Sequence, residues 1–397
     1  MSVKRSRRTR YFRHVLAKST SSPAPRVETD ALMSRLFARS PLVRQHPSWY
    51  FSLRFNSTVA HPFNFHIGVS WAPKPPDPEL TRFHTAFSAD SQLGKWRDGM
   101  LVRPRRSLPK DAGEDFFCHT EARPFVAVLL HLSLTPCIDA QWLGGSPQRF
   151  DHQGVAFGVA DGVGGWVDSG VDPSLFAQAL MFYAHNYSHD SWAGEPEIDP
   201  TQDHGQHEDV RGREMTPYEC LDLAYHRVLE EQLVEAGSST ACLLTLNSSS
   251  GVLRSANLGD SGYLIIRSSS VIYREPTQTH YFNCPLQLTK YPESASFNKY
   301  YLDLPSAAAQ HETKLRHGDI VIAYTDGLSD NVFPTELVAI CSLIARAGGP
   351  EGEQVQFMAN RIVQYAQACM RDRKRASPFE RDAAREGISY RGGKVDE

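Results

Sequence analysis

The sequence predicts an α+β fold, and three observations predict it. Short runs of strand-forming residues close on glycine-containing turns. Two runs, 240–247 and 252–268, read as antiparallel neighbours. Longer segments with helical start and stop signals lie between them. With 397 residues, 41% hydrophobic and 22% charged, the chain can bury a core for one large domain with extensions or for two ordinary ones.

The first 60 residues read as a basic leader and linker, and 61–397 as the folded part. MSVKRSRRTRYFRHVLAKSTSSPAPR carries Lys4, Arg5, Arg7, Arg8, Arg10, Arg13, Lys18 and Arg26, with no acid before Glu28. Such acid-free, arginine- and serine-rich leaders resemble mitochondrial import presequences. That predicts a mitochondrial, matrix location, against a plain basic tail or a nuclear-type cluster.

The elements follow in order. FNFHIGVSW at 63–71 is a candidate strand, and WAPKPPDPE at 71–79 a Pro-rich connection. VAFGVA at 155–160 is an apolar strand closed by Asp161-Gly162. DPSLFAQALMFYAHNY at 172–187 is a helix with an Asp cap and a proline in its first turn. The segment 190–214 is an acidic, aliphatic-poor surface loop, so His189, His204 and His207 read as solvated residues, not metal ligands.

TPYECLDLAYHRVLEEQLVEAG at 216–237 is a helix with Gly237 as its C-cap. TACLLTLN at 240–247 pairs with the run at 252–268, which holds LGDSG as a tight turn. DIVIAYTDG at 319–327 repeats the strand-then-Asp-Gly pattern at Asp326-Gly327, and helices follow over 334–349 and 352–372.

Bulk properties exclude several function classes. A net charge of −3 gives no whole-chain case for nucleic-acid binding. Seven scattered cysteines without a CxxC pair argue against a disulfide framework or a thiolate zinc site and suit a reducing compartment. The longest apolar run, FVAVLLHLSL at 125–134, is below the roughly 18–20 residues a membrane span needs, so no integral membrane segment is expected.

The carboxylates at strand ends are the informative chemistry. Asp161 and Asp326 each close an apolar strand, Asp260 sits in the turn between strands, Glu114-Asp115 precede two phenylalanines, and Asp396 follows GGKV. Carboxylates with a backbone carbonyl and waters hold Mg2+ or Mn2+. Each Asp-Gly taken singly is most often only a turn. GVADGVGGWVDSGVDP at 158–173 packs five glycines and three aspartates into sixteen residues, with Asp168 read as a surface charge.

GVADGVGGW (158–166), GSSTACLLTL (237–246), ANLGDSGYLII (256–266), HYFNCPLQL (280–288), LRHGDIVIAYTDGLSDN (315–331) and SPFERDAAREG…RGGKVD (377–396) occur in one order. Over roughly 105–397 the chain resembles the metal-dependent type 2C Ser/Thr protein phosphatases, more narrowly the mitochondrial branch related to the yeast seventh type 2C phosphatase. The resemblance implies a four-layer αββα sandwich of two antiparallel sheets, with insertions here at about 118–153 and 190–214. It implies hydrolysis of phosphoserine and phosphothreonine in a phosphoprotein substrate by a water activated between two Mg2+ or Mn2+ ions, without a phospho-enzyme. A monomer is expected.

Carried over residue by residue, Asp161 matches the aspartate bridging both metals and Gly162 the glycine giving its carbonyl. Asp326 and Asp396 match ligands of the first metal, Glu114 and Asp115 the acidic pair that helps hold the second. Asp260 matches an aspartate of a weaker third metal. Lys110 falls near a phosphate-binding arginine of many relatives.

The sequence departs from the pattern in three ways. The type continues after GGK-x-D into a final apolar strand that is missing before Glu397, so Asp396 is expected on a fraying end. The stretch 118–153 replaces a short hairpin connection, and Arg391-Gly392-Gly393 is expected to have nothing to pin it. One hypothesis, an imperfect gene model with read-through in the middle and a lost final exon, covers the first two. The competing functional reading is a catalytically impaired, phosphatase-like binding protein.

Overall fold

A computed structural model describes residues 63–74, 86–101, 112–120, 154–190, 214–248, 250–292 and 302–396. All of them belong to the unit Thr58–Glu397. The leader 1–60, Lys110, the apolar run 125–134, His204 and His207 lie outside the described residues, as does the side chain of His189.

The chain runs α1 (Gln92–Leu101), β1 (Phe116–His119), β2 (Gly154–Ala160), α2 (Pro173–Asp190), α3 (Pro217–Glu230), β3 (Gly237–Ser239), β4 (Ala241–Asn247) and β5 (Val252–Leu258). It continues with β6 (Gly262–Arg267), β7 (Ser270–Arg274), β8 (Thr279–Tyr281), β9 (Cys284–Pro285), β10 (Leu288–Lys290) and β11 (Ala309–Lys314). The last elements are β12 (Ile320–Tyr324), α4 (Asp326–Ser329), α5 (Pro334–Ala347), α6 (Glu351–Arg371) and α7 (Pro378–Arg385).

Two antiparallel sheets form the centre, with β10-β3 and β8-β9 as separate two-stranded ladders. One central sheet has the order β1-β2-β4-β5-β11 and the other β12-β6-β7. Period-2 side chains explain the layering. From β4 and β5, Leu243, Ala256 and Leu258 face Phe176, Leu180, Met181, Leu221 and Tyr225 of α2 and α3. Their neighbours Cys242, Leu244 and Leu253 face the other way and pack with Tyr263 and Ile265 of β6. The opposite face of β6, Leu264 and Ile266, packs on Leu337, Cys341, Met358 and Ile362 of α5 and α6. The result is helix, sheet, sheet, helix, as expected.

Helix starts follow the sequence signals. Pro173, Pro217, Pro334 and Pro378 each occupy a first helical position, where the missing N–H costs nothing. Asp172 Oδ1 accepts from Ser174 N at 3.0 Å. Thr216 and Glu219 form a reciprocal capping box. The end of α3 differs from expectation. It stops at Glu230, not near Gly237, because Lys290 Nζ donates to the carbonyls of Val228 and Glu231 at 3.1 and 2.7 Å. Gly237 instead opens β3 at φ +140°.

Two further expectations are corrected. The run 252–268 does not pair with 240–247 throughout: β5, before LGDSG, pairs with β4 and β11, whereas β6, after it, pairs with β12 and β7. Gly259, at φ +104°, turns the chain from one sheet to the other, and a Cβ there would lie 2.7 Å from Leu286 O.

FNFHIGVSW forms no strand. Its Val69 N–H and carbonyl are taken by the Gln356 side chain of α6 at 3.3 and 2.8 Å. Gly68 approaches α6 so closely that a Cβ would lie 2.4 Å from Val355 O. This segment, β12 and α6 line a cavity of 680 Å3. Cys118 and His119 belong to β1 and pair with Gly158 and Phe157, so the connection between these strands runs from 120 to 153.

Candidate metal centre

The site lies where three turns meet. β2 ends at Ala160, and Asp161 follows with its backbone clamped from both sides. Asp161 N donates to Thr240 Oγ1 at 3.1 Å, and its carbonyl accepts from Thr240 N at 3.0 Å and Ser239 Oγ at 2.8 Å. Thr240 Oγ1 also meets Ser261 Oγ at 2.7 Å. The GSST run therefore ties the Asp161 corner to the Asp260 turn. Ser238 extends the clamp, accepting from Trp166 Nε1 at 2.6 Å and donating to Gln287 Oε1 at 2.5 Å.

In the Asp161 corner the backbone of Glu114 and Pro173 requires a glycine at 162, whereas Gly164 faces only the tip of the Glu114 side chain. A Cβ at Gly162 would lie 2.5 Å from Glu114 O and 2.6 Å from Pro173 O, and one at Gly164 2.7 Å from Glu114 Oε2. Gly165 meets nothing within 4 Å. Asp168 is exposed, as expected of a surface charge.

Asp326 begins α4, directly after β12. One ligand atom each from Asp161, Asp260 and Asp326 lie within 4.8 Å of one another. Asp260 Oδ1 is buried without a hydrogen-bond partner. Such an orphaned oxygen costs about 1–3 kcal/mol unless something fills it. Three converging carboxylates, one of them with a buried oxygen unsatisfied, fit a hard divalent cation.

The electrostatics agree. Burial, then the charges of Asp115, Asp326, Asp396 and Asp260, push Asp161 well above the usual carboxylate range. Burial and then Asp326 push Asp260 up to about 8. Burial and the neighbouring Asp396 raise Asp326. Carboxyls that resist ionising together are stabilised by an added cation.

Asp396 lies beside the cluster, against the expectation of a fraying end, though it does not join the group of three. Its side chain is 16% exposed, and its oxygens meet Lys74 Nζ at 3.1 Å and Lys394 Nζ at 3.0 Å. Burial pushes Asp396 up, but the two ammonium groups hold it below the usual carboxylate range.

Arg391-Gly392-Gly393 is pinned too. Asn331, fully buried, donates to Lys394 O at 2.8 Å and accepts from Lys394 N at 2.9 Å. Ser377 Oγ donates to Gly392 O at 2.7 Å, and Glu380 Oε2 accepts from Gly392 N at 2.9 Å. Both glycines are sterically required: a Cβ at Gly392 would lie 2.5 Å from Arg373 Cα, and one at Gly393 2.2 Å from Cys369 O.

Glu114 is 14% exposed and meets Lys74 Nζ at 3.0 Å. Asp115 acts on Asp161 by charge. Neither joins the group of three.

No family model matches the chain. It is 37% identical to the protein phosphatase PTC7 homolog fig of Drosophila grimshawi over 267 residues, which is 65% of this chain and 80% of that relative. The chain belongs to the PTC7 branch of the type 2C protein phosphatases. It is also 35% identical to the protein phosphatase PTC7 homolog of Homo sapiens over 240 residues, 60% of this chain and 71% of that protein. Among solved structures, the photosystem II phosphatase PBCP aligns at TM-score 0.49 and 23% identity, covering 72% of this chain and 88% of that one.

Sequence reasoning missed several residues of this PTC7-type site. Asp330 lies one helical turn after Asp326, a spacing that puts both on one face. Lys394 donates to Asp326 at 2.5 Å and Asp330 at 2.8 Å. Burial and Asp326 push Asp330 up to about 7. The Asp-x-x-x-Asp spacing could have revealed Asp330. Nothing local marks Lys74, in a Pro-rich connection, as a partner of residues 40 and more positions away.

Proposed function

We propose that this PTC7-type phosphatase hydrolyses phosphoserine and phosphothreonine in protein substrates at a centre of two Mg2+ or Mn2+ ions. Asp161, the Gly162 carbonyl, Asp326 and Asp396 hold these ions together with Glu114 and Asp115, and Asp260 serves a weaker third. The observation that carries the reading is the convergence of Asp161, Asp260 and Asp326 within 4.8 Å from three separate turns, with one Asp260 oxygen buried and unpartnered.

Bound divalent cations supply Lewis-acid charge to a water and to phosphoryl oxygens. The chain's own residues do the positioning. Ser239 and Thr240 fix the Asp161 backbone, Thr240 and Ser261 couple the Asp161 and Asp260 turns, and Asn331 sets the height of the Asp396 segment. The carboxylates leave phosphate no favourable contact until their charge is offset. Lys110 is proposed as a phosphate contact, so Lys110→Ala should raise KM more than it lowers kcat. The basic leader supports a mitochondrial matrix location, and the enzyme is proposed to act as a monomer.

The test is hydrolysis of p-nitrophenyl phosphate and of a phosphoserine peptide by the purified chain. Activity should require Mn2+ or Mg2+, vanish with EDTA, and fall by at least about a thousandfold in Asp161→Ala. Full activity in that variant, or activity without metal, overturns the two-metal centre.

A further inference from the structure

We propose that Lys394 is a built-in competitor for the divalent cations: its ammonium occupies the Asp326–Asp330–Asp396 end of the cluster and raises the cation concentration needed to fill the site. This rests on the metal centre proposed above. An ammonium carries three donors and no acceptor. Here all three are spent on carboxylates, at 2.5 Å to Asp326, 2.8 Å to Asp330 and 3.0 Å to Asp396.

Lys394 is not a surface lysine that happens to reach inward. Its side chain is 16% exposed and lies 5.1 Å from the Phe379 ring centroid. Its backbone N–H and carbonyl are both held by the buried Asn331 side chain. The preceding Gly393 packs against the end of α6, with its N–H on Asp372 O at 3.1 Å. The polypeptide thus delivers a fixed positive charge into a nest of acids.

That charge competes in two ways. Asp326 and Asp396 must exchange ammonium contacts for a cation to become ligands. Any cation they share also sits beside a like charge in a partly desolvated site, where repulsion is strong. Lys74 reinforces the effect, meeting Asp396 Oδ1 while Lys394 meets Oδ2. Both oxygens of Asp396 therefore already have cationic partners. The charged groups facing Lys394 are Asp326, Asp330, Asp396 and, more distantly, Asp260. Without the ammonium these acids repel one another, so the same lysine holds the metal-free site together.

The experiment measures Mn2+ binding directly, by the electron paramagnetic resonance signal of free Mn2+, for the full chain, Lys394→Met and Lys394→Arg. Lys394→Met should bind Mn2+ at least about tenfold more tightly, about 1.4 kcal/mol, and Lys394→Arg, which keeps the positive charge, should bind no more tightly than wild type. Metal-free Lys394→Met should melt at lower temperature than wild type and gain more from saturating Mn2+. Should Lys394→Met not fold without metal, Lys394→Gln is read the same way. Unchanged or weaker Mn2+ affinity in the neutral variants, with wild type binding normally, overturns the competitor role and leaves the metal centre standing. If wild type binds no Mn2+ at all, the metal centre fails and this inference fails with it.

Discussion

At Gly162 an added methyl group would meet two backbone carbonyls, 2.5 Å from Glu114 O and 2.6 Å from Pro173 O. Backbone cannot rotate away as a side chain can, so β1 and α2 would have to separate. Gly162→Ala is expected to cost about 1–3 kcal/mol in urea unfolding and to weaken Mn2+ binding as Asp161 shifts. Gly165→Ala, with open space around it, should do neither. Glu275 gives a pH signature. It is 4% exposed and accepts from Tyr273 OH at 2.7 Å. Burial raises it above the ordinary 4.5, outweighing the Tyr273 hydrogen bond and the His311 charge. The folded state therefore holds this proton more tightly than the unfolded one. That stability is present below the unfolded value and lost as pH rises through the folded one. The advantage of Glu275→Gln over wild type should grow between about pH 4.5 and about pH 7.5; equal urea midpoint differences at both would refute it.

The elements show why some signals were legible. The helices with proline at their first position carry their start in one residue, and Thr216-x-x-Glu219 adds a local cap to α3. The strands of the central sheets alternate because each face meets a different layer, so period and burial agree. FNFHIGVSW has the composition of a strand but takes its main-chain contact from Gln356, 287 residues away from Val69, which no local pattern encodes. Within the Arg391–Asp396 segment, Lys394 has both its backbone N–H and its carbonyl held by one side chain, that of Asn331. Asn331→Ala would strip partners from Lys394 N and O, with an expected loss of about 1–3 kcal/mol for each group left buried and unsatisfied. Its Mn2+ affinity should fall as Asp396 loosens, measured by titration beside chemical denaturation. Retained affinity would mean that Lys74 and Lys394 hold Asp396 by themselves.

Across the whole molecule, the site joins both sheets. Asp161 hangs from β2 of the larger sheet, Asp326 from β12 of the smaller, and Asp260 from the turn that crosses between them. Cations held between these turns stabilise only the folded arrangement, so unfolding should become metal-dependent by mass action. At a hundredfold excess over Kd the gain is about 2.7 kcal/mol. The melting temperature should rise with Mn2+ concentration in wild type and lose that dependence in Asp161→Ala.

The sequence by itself determined the class of fold, the starts of α2, α3, α5 and α6, and the acids at Asp161, Asp260 and Asp326. These depend on local periodicity, caps and strand-end motifs, each written within a few neighbouring residues. Tertiary structure alone decided that LGDSG switches sheets, that Gly162 must be glycine because Glu114 lies against it, and that Asp396 is held by Lys74, Lys394 and Asn331. Those outcomes depend on contacts between residues tens to hundreds of positions apart, where packing and charge, not local propensity, select the conformation.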